Sequence, residues 1–320
     1  MKVFVAGATG VLGRALVPQL VTRGHEVVGM TRSASKQDLV RSLGARPVVA
    51  DALDPDAVAQ AVASAEPEVI VHELTSLSGK MSARDMRHPD RFSGAIMTNR
   101  LRTEATDHLL AAGRAVGTRR FIAQSFGAFR WARTGGPVLT EAEPLDPNPP
   151  AALRAPLEGI LHVERVVPAI EWGEGLVLRY GGFYGPGTSI SLAPDAVMAA
   201  PIRKRRFPII GDGGGVFSYI HVEDAAAATV AALDHGQPGI YNIVDDEPAP
   251  LREWLPALAS ALGAKPPRRI PRWLARLMAG ETATLMLTEG RGASNAKAKR
   301  ELGWQLQYPS WRQGFAQGLG

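Results

Sequence analysis

Three glycines near the start of the chain have the spacing of a site for a phosphate-bearing ligand, in the run GATGVLG at residues 7–13. Gly7 would permit a tight turn, Gly10 would let the backbone approach a pyrophosphate, and Gly13 would let a helix pack closely on a strand. The unpaired N–H groups and the positive end of the following helix would then face the anion. The loop residues that we expect to contact the ligand are Gly7, Thr9, Gly10, Val11, Leu12 and Gly13.

The elements on either side of this loop support the same interpretation. A short β-branched and aromatic run at 2–6 precedes it, and an apolar pattern at helical spacing covers 11–22. A glycine motif between a strand and a helix is typical of a dinucleotide-binding unit. A glycine-rich turn without a ligand is the alternative, but the order of strand, loop, helix and second strand favours the dinucleotide.

The tip of the second strand, at 27–30, bears on the choice between NAD and NADP. A carboxylate there would bind the adenosine ribose and repel a 2′-phosphate, but residues 29–33 contain none. Arg32, next to Thr31, offers a planar, permanently charged group suited to phosphate, and Lys36 follows one turn later. We therefore expect NADP as the cofactor, with NAD as the alternative if Arg32 is an ordinary surface arginine.

Residues after two other strands would complete the cofactor site, because ligands of open parallel sheets lie beyond the carboxyl ends of the strands. Asp51, after the third strand, could meet the adenine amino group. Leu74 and Thr75, after the fourth strand, would lie beside the diphosphate and the inner ribose. Each of them could equally be a loop residue with local hydrogen bonds only.

Strands and helices alternate along the first part of the chain, which predicts an α/β fold, a Rossmann doubly wound parallel sheet. We expect residues 1–180 to form the dinucleotide-binding domain and residues 181–320 to form a smaller C-terminal substrate lobe. Segments near 216–246 are expected to pack back on the Rossmann domain. Proline and glycine are frequent at 134–150, which indicates a surface loop.

Composition limits the class of protein and its environment. The 320 residues carry a net charge of +5 and include no cysteine, which excludes disulfides and thiolate metal sites. No apolar run is long enough to span a bilayer and no secretory pattern opens the chain, so we expect a cytoplasmic protein without membrane contact. The basic run at 203–206 lacks interleaved aromatics, so nucleic acid is not an expected partner. The histidine spacings do not indicate a metal site.

Further segments give the chain a family resemblance. They are GATGVLG at 7–13, VIVH at 69–72, TN at 98–99, LRYGGFYGPG at 178–187, IGDG at 210–213, YIHVEDA at 219–225 and YNI at 241–243. In this order they resemble the extended short-chain dehydrogenase/reductases of the NAD-dependent epimerase/dehydratase type. The resemblance implies that Ser125 occupies the catalytic serine position beside the cofactor, and that Gly182 and Phe183 border the nicotinamide. It also implies a homodimer formed through helices near 95–116 and 151–170.

The usual catalytic pair of that family is absent. Its members use Tyr-x-x-x-Lys, in which the lysine lowers the pKa of the tyrosine. Counting back from Glu164 places Pro156 and Ile160 at these two positions, and no tyrosine precedes Tyr180. The resemblance therefore predicts the fold and the cofactor more directly than it predicts the proton chemistry.

Other groups could take over proton transfer. Beside Ser125 we expect Tyr184 or His162 to act, and Glu158 and Tyr180 are further candidates; an ordinary structural role is the alternative for each. A second possibility is that hydride adds to an already activated acceptor, so that water supplies any proton. A third is that the nucleotide is bound without being used chemically.

These observations predict an NADP-dependent oxidoreductase that acts on a small organic substrate without the usual dyad. A redox-neutral epimerase or dehydratase of a nucleotide sugar is the nearest alternative, and the missing dyad counts against it because oxidising an alcohol needs a base. A non-catalytic NADP-binding sensor is the alternative from another class. The basic run at 203–206 and Arg291 could bind an anionic group of the substrate.

Overall fold

The computed structural model describes residues 1–77, 89–127, 135–143 and 146–320. The loop predicted at 134–150 lies partly outside these ranges. In the described residues, seven parallel strands form one sheet. Across the sheet their order is β12 (Gly239–Ile243), β7 (Glu174–Tyr180), β5 (Arg120–Phe126), β4 (Val69–His72), β1 (Lys2–Ala6), β2 (Glu26–Thr31) and β3 (Arg46–Val49).

Helices cover both faces of this sheet. They are α1 (Val11–Thr22), α2 (Gln37–Ser42), α3 (Pro55–Ala65), α4 (Ser93–Arg102), α5 (Glu104–Val116), α6 (Ala151–Val166), α7 (Ala199–Arg203), α8 (Val222–Ala231), α9 (Leu251–Ala261), α10 (Arg272–Glu289), α11 (Ala296–Leu302) and α12 (Trp311–Gln317). One apolar core joins the sheet to α1 and α8, and the other joins it to α3, α5 and α6.

Short strands build most of the remaining structure. They are β6 (Val138–Leu139), β8 (Gly182–Tyr184), β9 (Ile209–Ile210), β10 (Val216–Phe217), β11 (Tyr219–His221), β13 (Ala249–Pro250), β14 (Arg269–Ile270) and β15 (Gly292–Ala293). They pair two by two, and a third apolar core, which includes Trp254 and Trp311, fills the space between them, α9 and α12. No helix among the described residues has the length and apolarity needed to cross a bilayer.

Strand order identifies where a ligand can enter. β1 lies between β4 and β2, so the crossovers from β1 run in opposite directions on its two sides. A crevice opens at such a switch point, beyond the carboxyl ends of the strands. The residues that follow β1 and β4 there are Gly7 and Glu73.

The helix expected at 95–116 is two helices, α4 and α5, that meet at Thr103. Its backbone has φ −99° and ψ −80°, outside the helical region. The Thr103 hydroxyl donates back to the carbonyl of Asn99 at 3.0 Å, a bond that often bends helices at threonine. The helix expected at 151–170 ends earlier, at Val166.

Candidate functional site

The glycine loop after β1 has room for backbone but not for side chains. Gly7 has φ +102°, and a Cβ on it would lie 2.9 Å from the carbonyl carbon and oxygen of Glu73. A Cβ on Gly13 would lie 2.3 Å from the Gly7 carbonyl oxygen. Gly10 is exposed, and its N–H donates to that same oxygen at 2.9 Å. Each glycine therefore has the place that close approach of a pyrophosphate requires.

The start of helix α1 is open to an anion. Gly10 is the capping residue with extended backbone, and no side chain caps the helix. The first turn contains no acidic residue; Val11 is half-buried and Leu12 is buried. Thr9 is half-buried on the loop just before it. Uncapped N–H groups at the positive end of a helix fit a phosphate, so this cradle fits a dinucleotide.

The residues predicted to hold the adenosine half lie at the same edge of the sheet. Arg32 is exposed directly after β2, and the hydroxyl of the buried Thr31 accepts a hydrogen bond from the Ser33 N–H at 3.3 Å. Asp51 is exposed after β3 and accepts from the Leu53 N–H at 3.0 Å. The structure thus brings Arg32 and Asp51 to neighbouring strand ends.

The segment after β4 connects the loop to β5. Leu74 is half-buried, its N–H donates to His72 Nδ1 at 3.3 Å, and its carbonyl accepts from Gln124 at 3.4 Å. Thr75, the next residue, is exposed at the sheet edge. Both residues lie on the path from the glycine loop toward Ser125.

Ser125 belongs to a buried polar cluster between β5, β7 and α6. Its hydroxyl donates to Glu164 Oε1 at 2.7 Å. Arg179 donates from Nε and Nη2 to the two carboxylate oxygens of Glu164, each at 2.8 Å. Glu164 and Arg179 are each 5% exposed at the side chain. The cluster orients the Ser125 hydroxyl at the carboxyl end of β5.

Helix α6 brings neither the usual tyrosine nor the usual lysine to Ser125. Pro156 lies inside the helix and Ile160 is buried. Gly159 packs against α4, where its N–H donates to Asn99 Oδ1 at 3.1 Å. The two positions that the family resemblance assigns to tyrosine and lysine are therefore filled by groups that cannot exchange a proton.

The structure does not bring Tyr184 or His162 to Ser125. Tyr184 is fully buried against helix α12, its hydroxyl has no hydrogen-bond partner among the described residues, and burial raises its pKa well above the usual value. His162 pairs with Asp107 on α5 at 2.8 Å. The proton-transfer roles predicted for these two residues gain no support from their positions.

Gly182 and Phe183 lie on β8, just after β7. The N–H of Gly182 donates to the Ser218 carbonyl at 2.9 Å, and β8 pairs with β11. The ring of Phe183 lies 5.4 Å from that of Tyr180, centre to centre. Phe183 therefore lies beside the end of β7, as expected for a residue bordering the nicotinamide.

Glu73 is a site residue that the sequence predictions missed. Its carboxyl group lies beneath the crevice, 3.1 Å from the Tyr180 hydroxyl, and burial raises its pKa to about 8. The pattern that could have identified it is an acidic residue directly after the apolar run Val69–His72. Its place beside Gly7 depends on strand order, which this local pattern does not contain.

The arginines proposed to bind an anionic substrate are not in one place. Arg291 lines a groove of about 370 Å³ with Gly214 and Val216, and its Nη1 donates to the Gly135 carbonyl at 2.8 Å. Arg203 donates to the Ala193 carbonyl at 2.9 Å, outside that groove. Of the arginines proposed for this role, Arg291 is the one that lines this groove.

Comparison with known sequences identifies the family. Residues 3–244 match the model of the NAD dependent epimerase/dehydratase family. This chain belongs to that family. The resemblance drawn from its motifs is confirmed.

Relatives and solved structures agree with this assignment. A 3-diazoavenalumate denitrifying reductase of a Streptomyces species is 45% identical over 320 residues, 98% of this chain and 99% of the relative. A 2-alkyl-3-oxoalkanoate reductase of Stenotrophomonas maltophilia is 30% identical over 277 residues, 82% of this chain and 76% of the relative. A Thermotoga maritima UDP-glucose 4-epimerase structure with UDP-glucose has a TM-score of 0.73 at 21% identity, covering 100% of this chain and 97% of that one.

A human epimerase family protein crystallised with NADPH has a TM-score of 0.74 at 22% identity, covering 100% of this chain and 99% of the other. These structures confirm the Rossmann-type α/β fold of this family member. The reductase names of its relatives support an oxidoreductase that uses a nicotinamide cofactor.

Proposed function

We propose that this protein is an NADPH-dependent reductase that removes nitrogen from a small diazo compound carrying an acidic group. One observation carries the proposal: the glycine cradle and the Ser125 cluster are intact, while Pro156 and Ile160 replace the proton-transferring pair. The 45% identical relative is named for denitrifying a diazo carboxylate. A reaction that needs no protein acid fits both facts.

The reaction balances without a protein acid. An arenediazonium cation takes up one hydride, its carbon–nitrogen bond breaks, N₂ leaves and a carbon–hydrogen bond forms. A bound reduced nicotinamide would supply the hydride. Because the acceptor is already electron-poor, activation by a tyrosine hydroxyl is unnecessary, and the net reaction consumes no proton.

The residues of the chain would bind and orient the two reactants. The loop at 7–13 and the start of α1 would hold the pyrophosphate, and Arg32 would hold a 2′-phosphate. The Glu164–Arg179 pair would hold the Ser125 hydroxyl in one orientation, with its hydrogen donated to Glu164 and its oxygen available as an acceptor toward the substrate. Phe183 would limit access of water to the reacting atoms. Holding reactants in one geometry is itself a large part of catalysis.

The sequence alternatives make different demands on the site. Epimerisation or dehydration of a nucleotide sugar begins by removing a hydroxyl proton, for which the family uses the tyrosine of its Tyr-x-x-x-Lys pair. Helix α6 supplies no such pair at the positions of Pro156 and Ile160. Ketone reduction, suggested by the name of the 30% identical relative, requires a proton donor at the carbonyl oxygen. The diazo substrate is the acceptor that these residues fit best.

The test is turnover of a diazonium carboxylate, 4-carboxybenzenediazonium, with NADPH. Release of ¹⁵N₂ from labelled substrate, formation of benzoate and loss of NADPH absorbance should run in a 1:1:1 ratio, at least tenfold faster than with an equal amount of Gly10→Ala protein. The variant corrects for spontaneous reduction. Nitrogen release no faster than with Gly10→Ala contradicts the proposal. Turnover of a 3-oxoalkanoate or a UDP-sugar instead would support the ketone reductase or the epimerase, and binding without any turnover would support a sensor.

A further inference from the structure

Glu73 forms part of the wall of the crevice at the switch point of the sheet. It follows β4, and Gly7 follows the neighbouring strand β1. The two residues touch so closely that a Cβ on Gly7 would lie 2.9 Å from the Glu73 carbonyl group. Contacts therefore run without a break from the glycine loop through Glu73 and Tyr180 to Phe183.

The hydrogen bonds beneath the crevice form a chain of three contacts. Glu73 Oε1 lies 3.1 Å from the Tyr180 hydroxyl, which lies 2.7 Å from the Thr229 hydroxyl. The Thr229 hydroxyl in turn donates to the Ala225 carbonyl at 2.8 Å. Because the Thr229 hydrogen is already donated to Ala225, the single hydroxyl hydrogen of Tyr180 must serve the contacts with both Glu73 and Thr229. All three contacts carry a hydrogen only when the Glu73 carboxyl group contributes its own.

The alternative arrangement has an ionised Glu73. The Tyr180 hydroxyl then donates to the carboxylate, and the hydroxyl of Thr229 can turn toward Tyr180 at the expense of Ala225. Both arrangements use the same heavy-atom positions. The network can therefore accommodate either protonation state of Glu73 by turning two hydroxyl groups.

We propose that Glu73 senses the charge of the bound cofactor: it is protonated when the neutral reduced nicotinamide is bound and gives its proton to solvent when the cationic oxidised form is bound. This inference rests on the cofactor site of the proposed function. The proposed role of Glu73 is charge compensation. Glu73 is not one of the residues at the family's usual catalytic positions, which in this chain are Ser125, Pro156 and Ile160.

The direction of the shift makes this exchange possible at neutral pH. Burial raises the pKa of Glu73 to about 8, so the carboxyl group is largely neutral at pH 7 without a nearby cation. An opposite charge at about 4–6 Å lowers a carboxyl pKa by roughly 1–3 units, which would bring the pKa of Glu73 to neutrality or below. An exposed glutamate would be ionised in both states and could not respond.

Other charged groups on the surrounding elements face away from Glu73. On α8, Glu223 accepts from Gln19 and Asp224 accepts from the backbone of the 307–308 segment. On β7, Arg179 is bound to Glu164 on the opposite face of the sheet. On β4, burial lowers the pKa of His72 to about 4, so its ring is neutral.

Two further elements pack near Glu73 and carry charged residues. On α1, Arg14 is exposed and lies beside Gly187. On β5, Arg120 pairs with Glu174 at the far end of the strand. Among the described residues, Tyr180 is the titratable group that contacts Glu73.

Calorimetric titrations of the whole protein in phosphate and in Tris at pH 7 measure the protons exchanged on binding. We expect NADP⁺ binding to release between half a proton and one proton more than NADPH binding does. Both cofactor forms carry the 2′-phosphate. Any protons that this phosphate exchanges on binding therefore cancel when the NADPH value is subtracted from the NADP⁺ value. The ratio of NADP⁺ to NADPH affinity should rise by about tenfold or more from pH 6 to pH 8, since one linked proton corresponds to tenfold per pH unit.

Variants separate Glu73 from other buried carboxyl groups. Glu73→Gln keeps the shape of the neutral acid and should abolish the NADP⁺–NADPH difference, leaving the affinity ratio within twofold across that pH range. Asp245→Asn is the matched control: burial raises the pKa of Asp245 to about 8 as well, but it follows β12, three strands away from β4. It should behave as wild type. Tyr180→Phe removes a hydrogen bond that favours the ionised form, so its proton release should shift to higher pH.

Two results would overturn the inference, and they are distinguishable. If both cofactor forms bind but wild type and Glu73→Gln release equal numbers of protons, the role of Glu73 is wrong while the cofactor site stands. If neither form binds to wild type, the cofactor site itself is wrong and this inference fails with it. The proton measurements do not require turnover of a diazo compound. They therefore test the role of Glu73 even if the nitrogen-release experiment fails.

Discussion

Glu164 and Arg179 face each other through two hydrogen bonds of 2.8 Å, and each side chain is 5% exposed. The same carboxylate accepts the Ser125 hydroxyl at 2.7 Å. A buried pair of this kind holds a polar side chain in one orientation, because neither partner can turn away without leaving a charge inside the protein.

Replacing Arg179 by Met should therefore be costly. Breaking a buried pair from one side typically lowers the free energy of unfolding by about 3–5 kcal/mol. Arg100→Met is the matched control, since Arg100 and Glu104 form an exposed pair, for which a much smaller loss is expected. Urea unfolding followed by tryptophan fluorescence gives both values, and equal losses would show that the buried pair contributes little.

Arg32→Glu should change the preference between cofactors. A charge-assisted hydrogen bond is worth about 1.5–3 kcal/mol, so affinity for NADPH should fall by roughly 10- to 100-fold. Affinity for NADH should change by less than about threefold. Arg23→Glu makes the same change of charge at the other end of α1 and should leave both affinities alone. An equal loss for NADPH and NADH in Arg32→Glu would refute the assignment of the 2′-phosphate to Arg32.

Local patterns were sufficient for the sheet and the glycine cradle. The glycine run at 7–13 and the acid–proline pair at the start of α3 act on residues close to them in the chain. Asp54, for example, caps α3 by accepting from the N–H groups of Asp56 and Ala57. The break at Thr103 was missed because a threonine hydroxyl can bond back to its helix at many positions without bending it.

Positions that depend on long-range packing could not be predicted in the same way. Tyr184 follows β7 closely in sequence, but its side chain packs against Gly314, 130 residues later. His162 was expected to act in proton transfer beside Ser125, whereas it pairs with Asp107 on another helix. Glu73 was not predicted because its proposed role depends on contacts with Gly7 and Tyr180, which are distant from it along the chain.

Stability should fall as pH rises from about 6.5 to about 8. The usual pKa values are 4.5 for Glu73 and 3.8 for Asp245, and burial raises both to about 8. In that window the folded protein holds protons that the unfolded chain has lost, so increasing pH favours unfolding. Each pKa unit corresponds to about 1.4 kcal/mol, which allows an effect of a few kcal/mol per residue.

Variants identify the source of this pH dependence. Glu73→Gln and Asp245→Asn should each flatten the curve of unfolding free energy against pH, and the double variant should show the sum of the two changes because the sites are far apart. Glu171→Gln, at an exposed position, should leave the curve unchanged. Parallel curves for wild type and the double variant would mean that neither carboxyl group carries the effect.

We also propose that α4, α5 and α6 form the interface of a homodimer. Ile96 on α4 is 50% exposed and Leu161 on the neighbouring helix α6 is 38% exposed, so both helices offer apolar surface to a second chain. Ile96→Glu with Leu161→Glu should shift the mass in sedimentation equilibrium from two chains to one. Trp273→Glu alters an equally apolar but separate exposed position and should keep two chains. A wild-type protein of one chain would contradict the proposed interface.

The cradle at 7–13 is tested most directly by titrating NADPH into the purified protein and following its fluorescence. Gly10→Ala should cost little stability, because φ of −72° allows alanine there and the closest contact of the added methyl group is 3.1 Å, to the Gly7 carbonyl oxygen. The methyl group would lie where the pyrophosphate approaches. Gly24→Ala, at φ +79° in open space, should cost about 1 kcal/mol of stability without touching the ligand. We predict saturable binding of one NADPH per chain to wild type and to Gly24→Ala, and at least tenfold weaker binding to Gly10→Ala. Equal affinity of Gly10→Ala and wild type, or no binding to wild type, would contradict the account.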